Sequence, residues 1–380
     1  MAKRSKNANG QGTIFYRSRD KRWVVQVIDP DTGKRRTKVA LTENKAKVIL
    51  REMLNRVDEG KPPVDITQTV EQFAKAWLAT QAGKRRAGTT VHEYSGRFTR
   101  YVYPAIGKKR MDKVTIQDIE NMLDDLVAKG LSKGTVRAVK NALSAMFSDA
   151  KKNRVIARNP VRDAEMPSMQ AKQPKQYPSR LDVQKLLAKA ASIEGDAERE
   201  LGRILFMCAH TGARIGEIMA AKWSDLDLEA GTWTVISTVT RSSEGKRKVG
   251  SRTKTGESRL VPLSAGLVQV LKLQQEYVSY VKSMTGVWGE EGYVFPTSIG
   301  TFKDHNNLQK LLRKAYPEWK FTFHDLRHWF VSTGIEAGAA DVQIARLVGH
   351  KSTRTTNDVY GHLLEGGQES IIKSIEEALG

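Results

Sequence analysis

Four of the chain's eleven prolines, Pro160, Pro167, Pro174 and Pro178, crowd into one stretch, NPVRDAEMPSMQAKQPKQYPSR. Each lacks a backbone N–H and fixes its own φ, so neither a helix nor an inner strand can run through such a segment. The 380 residues must therefore fold as separate bodies on either side of it, and a chain of that length holds enough apolar surface for two or three cores. We read 160–178 as a linker, with bodies at 1–62, 63–159 and 179–380. The expected fold class is mainly α with small antiparallel β-sheets, in several domains.

The first body is the most basic. Met1 to Pro62 carries sixteen Lys and Arg against seven Asp and Glu, a large share of the net charge of +21 that comes from 63 basic and 42 acidic residues in all. Three short β-prone runs, GTIFYRS, RWVVQVID and KRRTKVAL, are separated by turn signals at Arg19-Asp20 and at Asp29-Pro30-Asp31-Thr32-Gly33. Ala46, Ile49, Leu50, Met53, Leu54 and Val57 then recur at helical spacing. A basic three-stranded sheet backed by a helix suits a nucleic-acid groove, and a merely solvated surface is the plain alternative. The second body reads as helical from about Thr67 to Ala157. Val70, Phe73 and Trp77 stripe its first helix, and Tyr94, Phe98 and Tyr101 its second. Thr115 and Asp118 form the start signal of a third that Gly130 stops, and Val136, Val139, Leu143 and Phe147 stripe a fourth. We expect these aromatics to be core.

A charge excess of this size calls for a polyanion, and nucleic acid fits better than a membrane surface. No run of eighteen apolar residues, signal-peptide pattern or lipidation motif stands in the sequence. Cys208 is the only cysteine, which leaves no disulfide within the chain and no cysteine-based zinc site, and fits a reducing cytoplasm.

The last body, expected to be mostly helical with GTWTVISTVT and ESRLVPL as two strands that could pair, holds four unusual patches. In HTGARIGEIMAAKW, Arg214 follows a glycine turn where a helix starts, with Glu217 one turn on. Such an arginine can hold an oxyanion together with the helix end, although an Arg–Glu pair at this spacing often decorates a surface. In RTKTGESRLVPL, Lys254 precedes a turn, either as a solvated lysine or as an acid that gives a proton to a departing oxygen. In FHDLRHWF, His324, Arg327 and His328 share one helical face without an acid, since Asp325 points elsewhere. The two histidines have the spacing of helical zinc ligands, but an arginine between them repels a cation and the metalloprotease glutamate is absent. In LVGHKSTRTTNDVYGHL, His350 follows a glycine and Tyr360 follows ten residues later. Together these side chains meet the needs of a metal-free attack on a phosphodiester, whose two nonbridging oxygens two guanidiniums can clamp.

With these four motifs in this order, over about half the chain, the sequence resembles the tyrosine recombinase family, and the integrases of the lambda type in particular. The resemblance implies a site-specific recombinase that cuts and rejoins double-stranded DNA through a 3′-phosphotyrosyl intermediate, with no cofactor and no metal, to integrate or excise a mobile element. It implies that Tyr360 is the nucleophile, that Arg214 and Arg327 hold the scissile phosphate, and that Lys254 is the general acid for the leaving oxygen. His324 and His350 would contact the phosphate and Glu217 would support Arg214, while His328 packs within the domain. The ten residues from His350 to Tyr360 are one more than in several family members, and Arg241 to Arg252 lengthens the approach to Lys254.

The same resemblance makes 1–62 an arm-type DNA-binding domain, 63–159 a helical core-binding domain and 179–380 the catalytic domain. It implies a homotetramer on core-type and arm-type attachment sites, a host bending protein and a directionality factor, no membrane partner, and a bacterial cytoplasm with nucleoid association. An apolar stripe in the tail, Ile371, Ile372, Ile375 and Leu379, packs either on its own domain or on a neighbouring protomer. Two other readings use the same residues differently. A type IB topoisomerase would share the chemistry without paired sites, and an architectural DNA-binding protein would have no use for Tyr360.

Overall fold

The structure is a computed structural model and describes residues 12–30, 33, 35–59, 68–81, 87–169, 176–250, 258–289 and 291–350. The chain divides into two compact units, Met1–Lys172 with Ser242–Gly245 and Gln173–Arg241 with Lys246–Gly380. It is mostly helical with small antiparallel sheets, the class expected from the sequence.

The first unit opens with a meander of β1 (Thr13–Arg17), β2 (Arg22–Ile28) and β3 (Arg35–Ala40), all antiparallel in the order β1-β2-β3. Its register sets Phe15 opposite Val24 and Val25 opposite Lys38. Because side chains alternate along a strand, Trp23, Val25 and Val27 share one face. They pack there against Ala46 and Met53 of α1 (Glu43–Asp58). Thr42 caps that helix by accepting from the Lys45 N–H at 3.3 Å.

The helices that follow are α2 (Val70–Gln81), α3 (Gly88–Arg97), α4 (Tyr103–Ile106), α5 (Ile116–Ala128), α6 (Lys133–Lys152) and the single turn α7 (Pro160–Asp163). The expected stripes are their core. Val70, Trp77, Phe98, Val136, Val139, Leu143 and Phe147 are buried, and Phe73, Tyr94 and Tyr101 pack against them. The sequence reading missed a π turn at Phe98–Val102 between α3 and α4, where the Tyr103 N–H reaches back five residues to the Phe98 carbonyl. Pro104 follows directly and has no N–H to continue the regular ladder, so the extra residue is absorbed there. Thr115 and Asp118 form the reciprocal cap on α5 that their spacing indicates, and Asp118 also takes Lys109 at 2.6 Å. The proline-rich stretch begins as structure. Asn159 caps α7 through the Val161 N–H and donates to the Ser144 carbonyl at 3.0 Å, which buries Val161 in the helical core.

The second unit comprises α8 (Arg180–Ser192), α9 (Asp196–Thr211), α10 (Ile215–Ile218), β4 (Leu226–Asp227), β5 (Thr232–Val235), β6 (Thr238–Arg241), β7 (Arg247–Gly250), β8 (Arg259–Pro262), α11 (Ala265–Met284), α12 (His305–Ala315), α13 (Phe323–Glu336) and α14 (Asp341–Val348). Helix α9 is its axis: Leu201, Ile204, Leu205 and Cys208 meet Leu267 and Leu271 of α11, Leu308 and Leu312 of α12, and Phe323 and Leu326 of α13. Each such leucine contributes about 1.5–3 kcal/mol by leaving water, so the two ends of α9 are fixed relative to α13.

As expected, GTWTVISTVT and ESRLVPL pair, with Trp233 opposite Val261. The first run is nonetheless two strands. It breaks at Ile236-Ser237, and β6 leaves for a separate two-stranded sheet with β7. The lengthened approach to Lys254 is therefore largely a hairpin, held down where Arg247 of β7 pairs with Asp304 and meets His305 Nδ1 at 2.7 Å. Among the described residues no helix is long and apolar enough to cross a membrane.

Candidate active site

Helix α9 ends in a turn that only glycine fits. Gly212 has φ +58 and its N–H closes on the Cys208 carbonyl at 3.1 Å. A Cβ there would lie 2.5 Å from Cδ1 and 2.8 Å from Cγ of Phe330 on α13. Thr211 steadies the turn by donating to the Met207 carbonyl at 2.6 Å and accepting from the Ala213 N–H. The next residue is Arg214, in extended backbone at the N-cap of α10.

Glu217 is 1% exposed, so the pair with Arg214 is no surface decoration. Its carboxylate accepts from the Arg214 backbone N–H and from the Arg214 guanidinium, both at 2.9 Å. It also accepts from both terminal nitrogens of Arg259 on β8, at 2.6 and 3.3 Å. Burial works to raise the Glu217 pKa, but the hydrogen bond and charge of Arg259, then Arg214, outweigh it and hold the carboxyl below its ordinary value. The acid is ionised at neutral pH.

Helix α13 contributes the next group. Thr322 caps it, and Asp325 accepts from the Thr322 N–H and hydroxyl, both at 2.8 Å, which turns that acid into the cap and away from its neighbours. His324, Arg327 and His328 are then left on one side, as their spacing indicates. Arg327 is 3% exposed and donates to the Gly212 carbonyl at 2.9 Å. His324 is exposed, and its ring stands edge-on to His328 with centroids 4.7 Å apart. His328 packs in turn on Tyr177, also at 4.7 Å.

Helix α14 supplies the last member. Gly349 takes the left-handed C-cap with φ +70, and the His350 N–H bonds back to the Ala345 carbonyl at 2.9 Å. Arg214 donates to the Gly349 carbonyl at 3.1 Å and Arg259 to the Leu347 carbonyl at 2.8 Å, so two guanidiniums grip this turn. His350 is half-buried, and its pKa is pushed down to about 4, first by burial and then by Arg327, Arg214, His328 and His324. It is a neutral imidazole at neutral pH. Five of the seven residues singled out in the sequence thus meet in one positively charged cluster, built from α10, α13 and the end of α14.

The model of the phage integrase family matches residues 179–366, and that of the phage integrase central domain matches residues 70–166. An integrase from Streptomyces ambofaciens is 28% identical over 378 residues, which span 95% of this chain and 94% of the relative. A XerC-like tyrosine recombinase from Caldanaerobacter subterraneus subsp. tengcongensis is 25% identical, with 99% of each chain covered.

The chain belongs to the phage integrase family of tyrosine recombinases. It is accordingly a site-specific DNA recombinase, and phosphotyrosine chemistry comes with the family. Its fold is similar to that of a lambda integrase solved as a tetramer on a Holliday junction, at a TM-score of 0.56 and 17% identity over 91% of this chain and 94% of that one.

Two of the recombinase's expected site residues, Lys254 and Tyr360, lie outside the described residues, as does the apolar stripe from Ile371 to Leu379. Arg259 is the residue that the sequence reading missed, and its burial in the fold is what marks it. Arg259 shares a strand face with buried Val261, while Leu260 between them is 60% exposed. A strand that turns its arginine inward and its leucine outward announces a buried acid to meet the arginine.

Proposed function

We propose that this recombinase integrates or excises a mobile element by cutting and rejoining double-stranded DNA at paired attachment sites, without metal, through a 3′-phosphotyrosyl link on Tyr360. The observation that carries this reading is the convergence of Arg214, Arg327, His324 and His350 from three helices, with both guanidiniums anchored on backbone carbonyls. Anchoring fixes where the charge sits before DNA arrives, which is the condition for stabilising the two nonbridging oxygens of a pentacoordinate phosphate. Tyr360 gives its Oη proton to a neighbouring base, a part that neutral His350 suits, and Oη attacks the phosphorus; the bond to the 5′ oxygen breaks, and Lys254 supplies that oxygen's proton. The new ester conserves the bond energy, so a 5′ hydroxyl from a second duplex reverses the step. Neutral His350 and exposed His324 suit proton handling and hydrogen bonding at the phosphate, with Glu217 as the support of Arg214. Tyr316 is a poor substitute nucleophile, because it is fully buried and its hydroxyl pKa is pushed up to about 12 by burial.

In this reading residues 179–380 are the catalytic domain, 63–159 the core-binding domain, and 160–178 the connection between them. Residues 1–62 are the arm-type DNA-binding domain. Exposed Arg17, Arg22, Arg35 and Thr37 alternate with the residues of the sheet that face α1, which supports the assignment. The working form is a homotetramer, like that of the lambda integrase, assisted by a bending protein and a directionality factor in the bacterial cytoplasm. The test is a supercoiled plasmid carrying two attachment sites taken from the DNA beside the protein's own gene. Excision or inversion that needs both sites supports the proposal. Relaxation of plasmids without sites would point to a topoisomerase, and binding without strand exchange to an architectural protein.

A further inference from the structure

A guanidinium already paired with a carboxylate has little net charge to offer a phosphate, and Arg214 is paired with Glu217. The second partner of Glu217 changes the balance. Arg259 approaches the same buried carboxylate with a fork of two N–H donors and is itself only 10% exposed, so the three groups carry two positive charges against one negative. The surplus lies on Arg214, which is 28% exposed at its side chain while Glu217 is 1% exposed. Arg259 also reaches the opposite wall, where its Nε–H donates to the Leu347 carbonyl, two residues before the Gly349 carbonyl that Arg214 holds. Gly349 leaves little room for an alternative, since a Cβ there would stand 3.0 Å from the Arg259 guanidinium.

We propose that Arg259 is a positioning residue of the recombination site: it neutralises Glu217, so that Arg214 keeps its positive charge for the scissile phosphate, and it sets the Leu347–His350 turn. The proposal rests on the reading of Arg214 as a phosphate ligand. A purely structural tie and a charge-balancing one differ in a measurable way. If Arg259 only braces the fold, removing Glu217 as well deepens the damage. If it balances charge, removing the acid repairs it.

The experiment measures single-turnover cleavage of a nicked half-site duplex at saturating protein, with DNA affinity and melting temperature alongside, for the full chain. Arg214→Met should slow cleavage on the order of a hundredfold, the size of losing one preorganised donor to a developing oxyanion. Arg259→Met should slow it roughly tenfold or more while changing DNA affinity by no more than about threefold. Adding Glu217→Gln to Arg259→Met should recover at least about half of that loss on a logarithmic scale, because the uncompensated acid is gone. Arg259→Lys keeps the charge and loses the fork, so it should cleave within about tenfold of wild type even if Arg259→Met fails to fold. Wild-type cleavage by Arg214→Met would overturn the reading underneath and this proposal with it. Normal Arg214 dependence with wild-type cleavage by Arg259→Met, a double variant as slow as Arg259→Met, or an Arg259→Lys rate as low as that of Arg214→Met would each overturn the proposal alone.

Discussion

Replacing Gly212 with alanine tests how the end of α9 builds the site. The backbone there has φ +58, a region that costs an L-residue about 1–2 kcal/mol. The added Cβ would stand 2.5 Å from Phe330 Cδ1 and 2.8 Å from Cγ. Cγ is too near its own backbone to swing clear, so overpacking contributes about 1–3 kcal/mol more. The two effects sum to roughly 2–5 kcal/mol, and at about 2–4 °C per kcal/mol for a unit of this size the melting temperature should fall by roughly 4–20 °C. Differential scanning calorimetry of the full chain measures it. A Phe330→Ala background separates the causes: there Gly212→Ala should cost only the backbone part, about 1–2 kcal/mol. The Gly212 carbonyl holds Arg327, so cleavage should fall further than stability alone explains. A melting temperature within about 2 °C of wild type would show that the turn tolerates a side chain, and an equal cost in both backgrounds that Phe330 does not crowd it.

His350 has a folded pKa of about 4 against an ordinary value of 6.5. Above pH 6.5 the group is neutral in both states and favours neither. As pH falls from 6.5 toward 4 the unfolded chain takes the proton first, and the fold loses stability. Wild type should therefore lose melting temperature relative to His350→Gln across that window, and parallel curves would contradict the shift. Asp304 both caps α12 through the Asn306 N–H at 2.7 Å and pairs with Arg247. Asp304→Ala should cost about 1–3 kcal/mol and speed hydrogen exchange in β6 and β7, and unchanged exchange there would show that the clasp does not hold the hairpin. In the first unit, Asp149 accepts from Trp77 Nε1 at 2.7 Å and from Gln81 at 3.1 Å. Asp149→Ala should destabilise that unit by about 1–3 kcal/mol, read by denaturant unfolding, because two donors lose their acceptor.

The sequence was most legible where a local rule decides the outcome. The turn signals separate β1, β2 and β3, the Thr115 and Asp118 spacing caps α5, and the apolar stripes of α2 and α6 are core. The shared face of His324, Arg327 and His328 follows from helical geometry, with Asp325 drawn off by Thr322. What stayed hidden depends on contacts distant in sequence. Arg259 meets Glu217 across 42 residues and Leu347 across 88, which no window along the chain can show. The break at Ile236-Ser237 was unreadable because both halves of GTWTVISTVT favour strand, and only their different partners, β8 and β7, separate them. The π turn at Phe98–Val102 hid for the opposite reason. One residue inserted into a long helix shifts its stripe too little to register, and Pro104 alone hinted at it.

If metal-free tyrosine chemistry runs at the cluster formed by Arg214, Arg327 and His350, it leaves a covalent adduct between protein and DNA. The purified protein, held in chelator, is incubated with a nicked attachment-site duplex, digested, and the DNA-linked peptide identified by mass spectrometry. The expected product is a 3′-phosphate esterified to Tyr360, absent with Tyr360→Phe. An adduct on another residue, or cleavage that appears only when a divalent metal is restored, would rule out metal-free attack by Tyr360.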